Sequence, residues 1–212
     1  MSATVITFSV QLGTPGYRLA QDASRRLGYS YLDRDVTTLA ASRAGVSPEV
    51  MSQAEHRPSF IERLLESLAE TALEAPVLVP TTPPLRIGMG TSDDYRKLIE
   101  EVVDELARRG NCIIVGHAAQ AIMKEHRPGL LRVLIHGSLD RRAVFLSQEQ
   151  KLSLDEARRL IEESDRERSD FFRHVYKIDW LAADRYDLTL NTDVFEVVDA
   201  LEVLLAAAKA AI

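Results

Sequence analysis

Short apolar runs alternate with helical stripes along this chain. Val5, Ile6, Phe8 and Val10 form a β-favouring run, and its early position predicts the central strand of a parallel sheet. A turn carrying Gly13, Pro15 and Gly16 follows. Apolar positions then recur at helical spacing at Leu19, Ala20, Ala23 and Leu27, with Gly28 as the C-cap. Tyr29–Leu32 predicts a second strand ending at Asp33-Arg34-Asp35. Val36–Ala44 reads as a helix stopped by Gly45, and Ser47-Pro48-Glu49 starts another, a Ser cap before Pro at the first helical position. Ser59 caps a further helix with Phe60, Ile61, Leu64, Leu65 and Leu68 on one side. Ala75–Gly90 holds four prolines and cannot be helical; a loop of that length is either a surface excursion or functional.

The second half repeats the rhythm. Tyr95, Leu98, Val102 and Leu106 predict a helix over Ser92–Arg109, with Asp93 and Asp94 at its start and Arg108, Arg109 and Gly110 at its end. Cys112–Val115 is a fully apolar strand, followed by Gly116-His117-Ala118-Ala119 and a short helix to about Glu125. Leu131–Ile135 is another buried strand. Ser138 opens a helix to Gln150. Ser153-Leu154-Asp155-Glu156 is a capping box whose helix runs to near Phe172. Leu188 and Leu190 mark a last strand. Asp193 is expected to cap a terminal helix with the stripe Val194, Val197, Val198, Leu201, Leu204, Leu205 and Ala208. Five parallel strands with helices on both faces, a three-layer α/β domain, are the expectation. Ligands in such sheets sit at the C-terminal strand ends, so that edge should gather the first turn, Asp33-Arg34, Gly116-His117 and His136.

Composition narrows the function classes. The 212 residues suit a single domain, and 46% hydrophobic content is ample for a core. A net charge of −6 gives no general attraction to nucleic acid or anionic membrane. The lone Cys112 excludes an internal disulfide and any cysteine-cluster metal site, and fits a reducing compartment. No apolar run nears the roughly 18 residues of a spanning helix, and the N-terminus lacks the layout of a signal peptide. A soluble cytoplasmic protein without membrane or nucleic-acid partners is expected. No catalytic triad, His-x-x-x-His or paired-cysteine pattern is visible, so no structural metal is expected.

Strand, glycine turn and helix together aim backbone N–H groups and a helix N-terminus at an anion, most often a phosphate. The alternative is a plain strand-to-helix corner, and the turn has no Lys followed by Ser or Thr, so it departs from the strict P-loop pattern. Arg18 can supply a cation or be solvated, and Thr14 can ligand phosphate or Mg²⁺. Asp33 either caps the following helix or points its carboxylate into the crevice; Arg34 pairs with a phosphate or is exposed. His117 either packs and caps or serves the site. The helix after Ser153 carries Arg158, Arg159, Arg166 and Arg168, with Arg173 just beyond, among many acids. That is a solvated face laced with pairs or a hinged lid.

The ordered set of motifs resembles the cytidylate kinase-like family, a divergent branch of the P-loop nucleoside monophosphate kinases. Its segments are Gln11-Leu12-Gly13-Thr14-Pro15-Gly16-Tyr17-Arg18; Leu27-Gly28-Tyr29-Ser30-Tyr31-Leu32-Asp33-Arg34-Asp35; Gly110-Asn111-Cys112-Ile113-Ile114-Val115-Gly116-His117-Ala118-Ala119; Asp165-Arg166-Glu167-Arg168 with Phe171-Phe172; and Tyr186 through Thr192. The resemblance implies a P-loop kinase-like domain with a helical insertion for the acceptor nucleotide over roughly residues 34–75 and a lid over roughly 151–180. It implies transfer of the γ-phosphoryl of ATP, with Mg²⁺, to a CMP-like nucleotide. Gly13, Thr14, Gly16, Tyr17, Arg18 and Asn191 would face the cofactor, Arg34 and His117 the acceptor, and Asp33, Arg166, Arg168 and Arg173 the reaction. The departures are Tyr17 and Arg18 where kinases carry Lys and Ser or Thr, Pro15 in place of a glycine, and His117-Ala118 where the family has Arg-Gly. They open the alternative of a catalytically degenerate nucleotide sensor or interaction module, in which the C-terminal stripe can serve a homodimer.

Overall fold

The computed structural model describes residues 3–56, 92–123 and 128–211. The chain divides into two compact units, Met1–Asp33 with Val103–Ile212, and Arg34–Val102.

The first unit is built on a five-stranded sheet: β1 (Val5–Val10), β2 (Ser30–Leu32), β3 (Cys112–Val115), β4 (Leu130–His136) and β5 (Leu188–Asn191). Their order is β2-β3-β1-β4-β5, and all four pairings are parallel. β1 is central, with Val5 in register with Cys112 on one side and Leu130 on the other. Flanked by a strand on each edge, it is buried at all six positions, the polar Thr7 and Ser9 included.

The helices follow the alternation of the strands. Ile6, Phe8 and Val10 pack with Leu19, Ala20 and Ala23 of α1 (Gly16–Leu27). Leu201, Leu204, Leu205 and Ala208 of the terminal helix join the same cluster. A second cluster joins Leu134 to Ala118, Ala121, Phe172, Trp180 and Tyr186. Gly28 ends α1 in the left-handed conformation at φ +69, as a C-cap glycine should. Cys112 is buried, and that burial pushes its thiol up to about 11.

The second unit contains α2 (Arg34–Ala44), α3 (Pro48–His56) and the start of α4 (Ser92–Arg109), whose last turns belong to the first unit. Ser47 accepts the Val50 N–H and so caps α3. The predicted helix from Ser59, the proline-rich Ala75–Gly90 stretch and the end near Glu125 lie outside the described residues. The short helix α5 covers Ala119–Ile122. α6 (Leu139–Gln150) and α7 (Leu154–Phe171) pack through Ala143, Leu146, Ala157 and Ile161. Both start as the sequence predicts: Ser138 accepts the Arg141 N–H, and Ser153 with Glu156 forms the reciprocal capping box.

The terminal helix departs from expectation. α8 spans Val197–Ala210, with Glu196 before it, and Asp193 does not cap it. The Asn191 side chain accepts the Asp193 N–H and prolongs the turn after β5. Asp193 instead receives the Ser138 N–H on both carboxylate oxygens, at 3.1 and 3.0 Å. The delayed start leaves Val194 outside the helix, 72% exposed, while Val198, inside it, lies on the outward face, 71% exposed. No helix among the described residues is long and apolar enough to cross a membrane.

Candidate functional site

The first turn, Asp33, His117 and Asn191 lie at the C-terminal ends of the strands. After β1, Gln11 donates its N–H to Ile135 and accepts the Gly137 N–H on its side chain. The Gln11 carbonyl receives both the Thr14 N–H at 3.2 Å and the Thr14 hydroxyl at 2.7 Å. Thr14 thus closes the turn on itself and is buried. Gly13 sits at φ +82, and a Cβ there would lie 2.6 Å from the Arg142 carbonyl oxygen. A Cβ on Gly16 would lie 2.6 Å from Val10 Cγ1. Both glycines are therefore required by packing of the protein against itself.

The N-terminus of α1 remains open. Pro15 precedes it without a side-chain cap, no acid lies in the first turn, and Arg25 and Arg26 occupy the last. The first N–H groups and the positive end of the helix dipole are thus available to an anion. Tyr17 and Arg18 both point outward: Tyr17 is 44% exposed, and the Arg18 side chain, 77% exposed, has Asp22 at 3.9 Å one turn on.

Two arginines stand behind the turn. Arg168 of α7 donates to the Val10 carbonyl at 2.6 Å and lies 5.0 Å over the Trp180 ring. Among the described residues its partners are a carbonyl and an aromatic face, with no carboxylate paired to it. Arg142 of α6 is almost fully buried and is neutralised by a bidentate pair with Asp165, at 3.1 and 2.7 Å. Its guanidinium also donates to the carbonyls of Gly137 and Leu12. Sequence reasoning missed Arg142. The available signal was its phase, since it shares the inward face of α6 with Leu139, Ala143 and Leu146.

At the other end of the edge, Asp33 and His117 meet. His117 Nε2 donates to the Asp33 carbonyl at 2.7 Å, and the Asp33 carboxylate accepts the Tyr31 hydroxyl at 3.4 Å. Burial, and then the Asp33 charge, push the Tyr31 phenol up to about 12. Gly116, His117 and Ala118 follow one another in the left-handed region, at φ +79, +54 and +50. Asn191 ends β5 opposite His136. Arg166 and Arg173 are exposed. Arg34 belongs to the second unit, where it lines a depression with Thr37, Thr38, Pro48, Glu49 and Ser52. Among the described residues no group of three or more His, Cys, Asp or Glu could hold a metal ion.

The comparisons agree with this architecture. An uncharacterized protein from Eubacterium ventriosum ATCC 27560 superposes with a TM-score of 0.65 at 13% identity, over 95% of this chain and 96% of that one. A gluconokinase from Sinorhizobium meliloti 1021 gives 0.52 at 12% identity, over 97% and 91%. Shikimate kinase from Bacteroides thetaiotaomicron gives 0.50 at 13%, over 96% and 97%. At these identities the likeness is one of fold, that of the P-loop kinases. No curated protein sequence matches the chain. The family model that describes cytidylate kinase-like proteins matches residues 5–194, nearly the whole of the motif series and the sheet it builds, and the chain belongs to that cytidylate kinase-like family.

Proposed function

We propose that this protein binds a nucleoside triphosphate at the N-terminus of α1 and transfers its γ-phosphoryl to a nucleoside monophosphate of the CMP type. The observation that carries the reading is Arg168, a part-buried guanidinium with no carboxylate partner among the described residues, held at the C-terminal end of β1, where an uncapped helix begins. A cation and free N–H groups converging on one edge fit an oxyanion. The α1 N–H groups and Arg168 would receive the phosphates. Asp33, whose carboxylate has only the long Tyr31 contact among its described bonds, would orient the acceptor hydroxyl. Phosphoryl transfer needs positioning and charge neutralisation more than covalent help. Mg²⁺ is usually held by one or two carboxylates, substrate phosphates and water; when bound it would neutralise phosphate charge, and Asp33, on the same sheet edge, is the carboxylate that would hold it.

A second reading is favoured by the turn itself. Thr14 is committed to Gln11, and a Cβ at either glycine would meet protein atoms at 2.6 Å, so the turn is packed against the protein itself. That arrangement suits a nucleotide sensor without turnover. An assay with ATP, Mg²⁺ and a panel of CMP, dCMP, UMP and AMP separates the two. Turnover abolished by Asp33→Ala supports the kinase. ATP binding by calorimetry without turnover supports the sensor, and the absence of binding overturns both.

A further inference from the structure

We infer that Arg142 is a positioning residue that holds the first turn and the anion-facing Arg168 in one arrangement; its bearing on nucleotide affinity rests on the proposed phosphate site. Arg142 touches three separate segments. Its Nε donates to the Gly137 carbonyl at 3.1 Å, before α6. Nη1 donates to the Leu12 carbonyl at 3.3 Å and to Asp165 Oδ1 at 3.1 Å, and Nη2 to Asp165 Oδ2 at 2.7 Å. Its own main-chain oxygen and Cβ fill the space beside Gly13. Four of the five guanidinium donors are spent on protein acceptors, and the residue is 5% exposed, so it is placed to hold the turn and not to touch a ligand.

The link to Arg168 runs along α7. Asp165 and Arg168 are three residues apart and so share one side of that helix. The bidentate pair with Arg142 fixes the rotation of α7 at Asp165, because a planar fork on a carboxylate admits one orientation. Arg168 then reaches the Val10 carbonyl at 2.6 Å. Carbonyls of Val10 and Leu12, flanking the start of the turn, are each held by one of these arginines. The turn and α7 therefore move together or not at all.

The test uses Asp165→Asn, which keeps the side-chain shape and removes its charge, in the full chain and in an Arg168→Met background. Hydrogen exchange of peptides covering residues 11–18, without nucleotide, reads the turn directly; faster exchange in Asp165→Asn is expected, although Asp165 lies far away in sequence. Calorimetry with ATP should show affinity about 3- to 30-fold weaker, the size of a transmitted coupling, and that loss should collapse in the Arg168→Met background. Arg142→Lys, which keeps the charge without the fork, should reproduce both effects. Unchanged exchange over residues 11–18 overturns the inference, as does an affinity loss of equal size in both backgrounds. If the unaltered protein binds no ATP, the phosphate site falls, and the exchange result alone decides the role of Arg142.

Discussion

Arg168 lies with its guanidinium carbon 5.0 Å from the centroid of the Trp180 ring, while its Nη1 holds the Val10 carbonyl. Trp180 is itself buried and stacks on Phe172, with centroids 6.2 Å apart and planes 13° from parallel. It is the single tryptophan of the chain, so its fluorescence reports on this contact. Arg168→Met should remove a charge-assisted hydrogen bond and the cation–π contact, lowering stability by about 1–3 kcal/mol in urea unfolding followed at Trp180. The same variant should shift the emission of the folded protein. An unaltered emission spectrum and an unaltered urea midpoint would mean that Arg168 does not hold this position in solution.

Gly13 and Gly28 share a left-handed backbone but not the same surroundings. At Gly28, φ is +69 and a Cβ would meet nothing within 4 Å; at Gly13, φ is +82 and a Cβ would lie 2.6 Å from the Arg142 oxygen. Gly28→Ala should therefore cost only the backbone penalty, about 1 kcal/mol. Gly13→Ala adds overpacking and should cost about 2–4 kcal/mol. Paired denaturation curves measure the difference, and equal midpoints would show that the turn can open away from α6 at no cost.

Tyr31 carries a pH signature of the Asp33 end of the edge. Burial and the neighbouring carboxylate raise its phenol from 10.0 to about 12, so the folded state holds the proton more tightly than the unfolded chain. The stabilisation linked to that proton is complete below pH 10.0 and is lost as pH rises toward about 12. Asp33→Asn removes the charge but not the burial. The folded phenol should then titrate at lower pH, and the alkaline loss of stability should be confined to a narrower window. Ultraviolet difference titration of the two proteins reads the shift; superimposable curves would place Asp33 away from Tyr31.

The sequence made some elements legible and hid others for physical reasons. The Ser92–Arg109 helix and the Cys112–Val115 strand end where expected, because their caps, dipole charges and apolar runs are local. The start of α8 was hidden, because Asn191 takes the Asp193 N–H and Asp193 serves Ser138 across the sheet edge. Arg142 was hidden for a related reason. A buried arginine is tolerated only with its partners, and those partners, Leu12 and Asp165, lie on other segments. Arg168 could be singled out as a charge on a lid-like helix, whereas its reach to Val10 depends on how α7 packs against β1.

His117 separates two contributions that a single substitution would mix. Its φ of +54 is a region that Asn tolerates and β-branched residues avoid, and its Nε2 donates to the Asp33 carbonyl at 2.7 Å. His117→Asn keeps the backbone preference and loses the reach of the imidazole, so it should cost at least about 0.5–1.5 kcal/mol, the worth of the hydrogen bond to Asp33. His117→Val loses the bond and adds left-handed strain between Gly116 and Ala118, so it should cost about 1–3 kcal/mol more. Thermal or urea unfolding ranks the three proteins. Because the bond fixes the main chain of Asp33, both variants should also blur the Asp33–Tyr31 contact and lower the titration point of Tyr31. A His117→Asn protein as stable as the original, with Tyr31 unmoved, would mean that the two strand ends are held together without the imidazole.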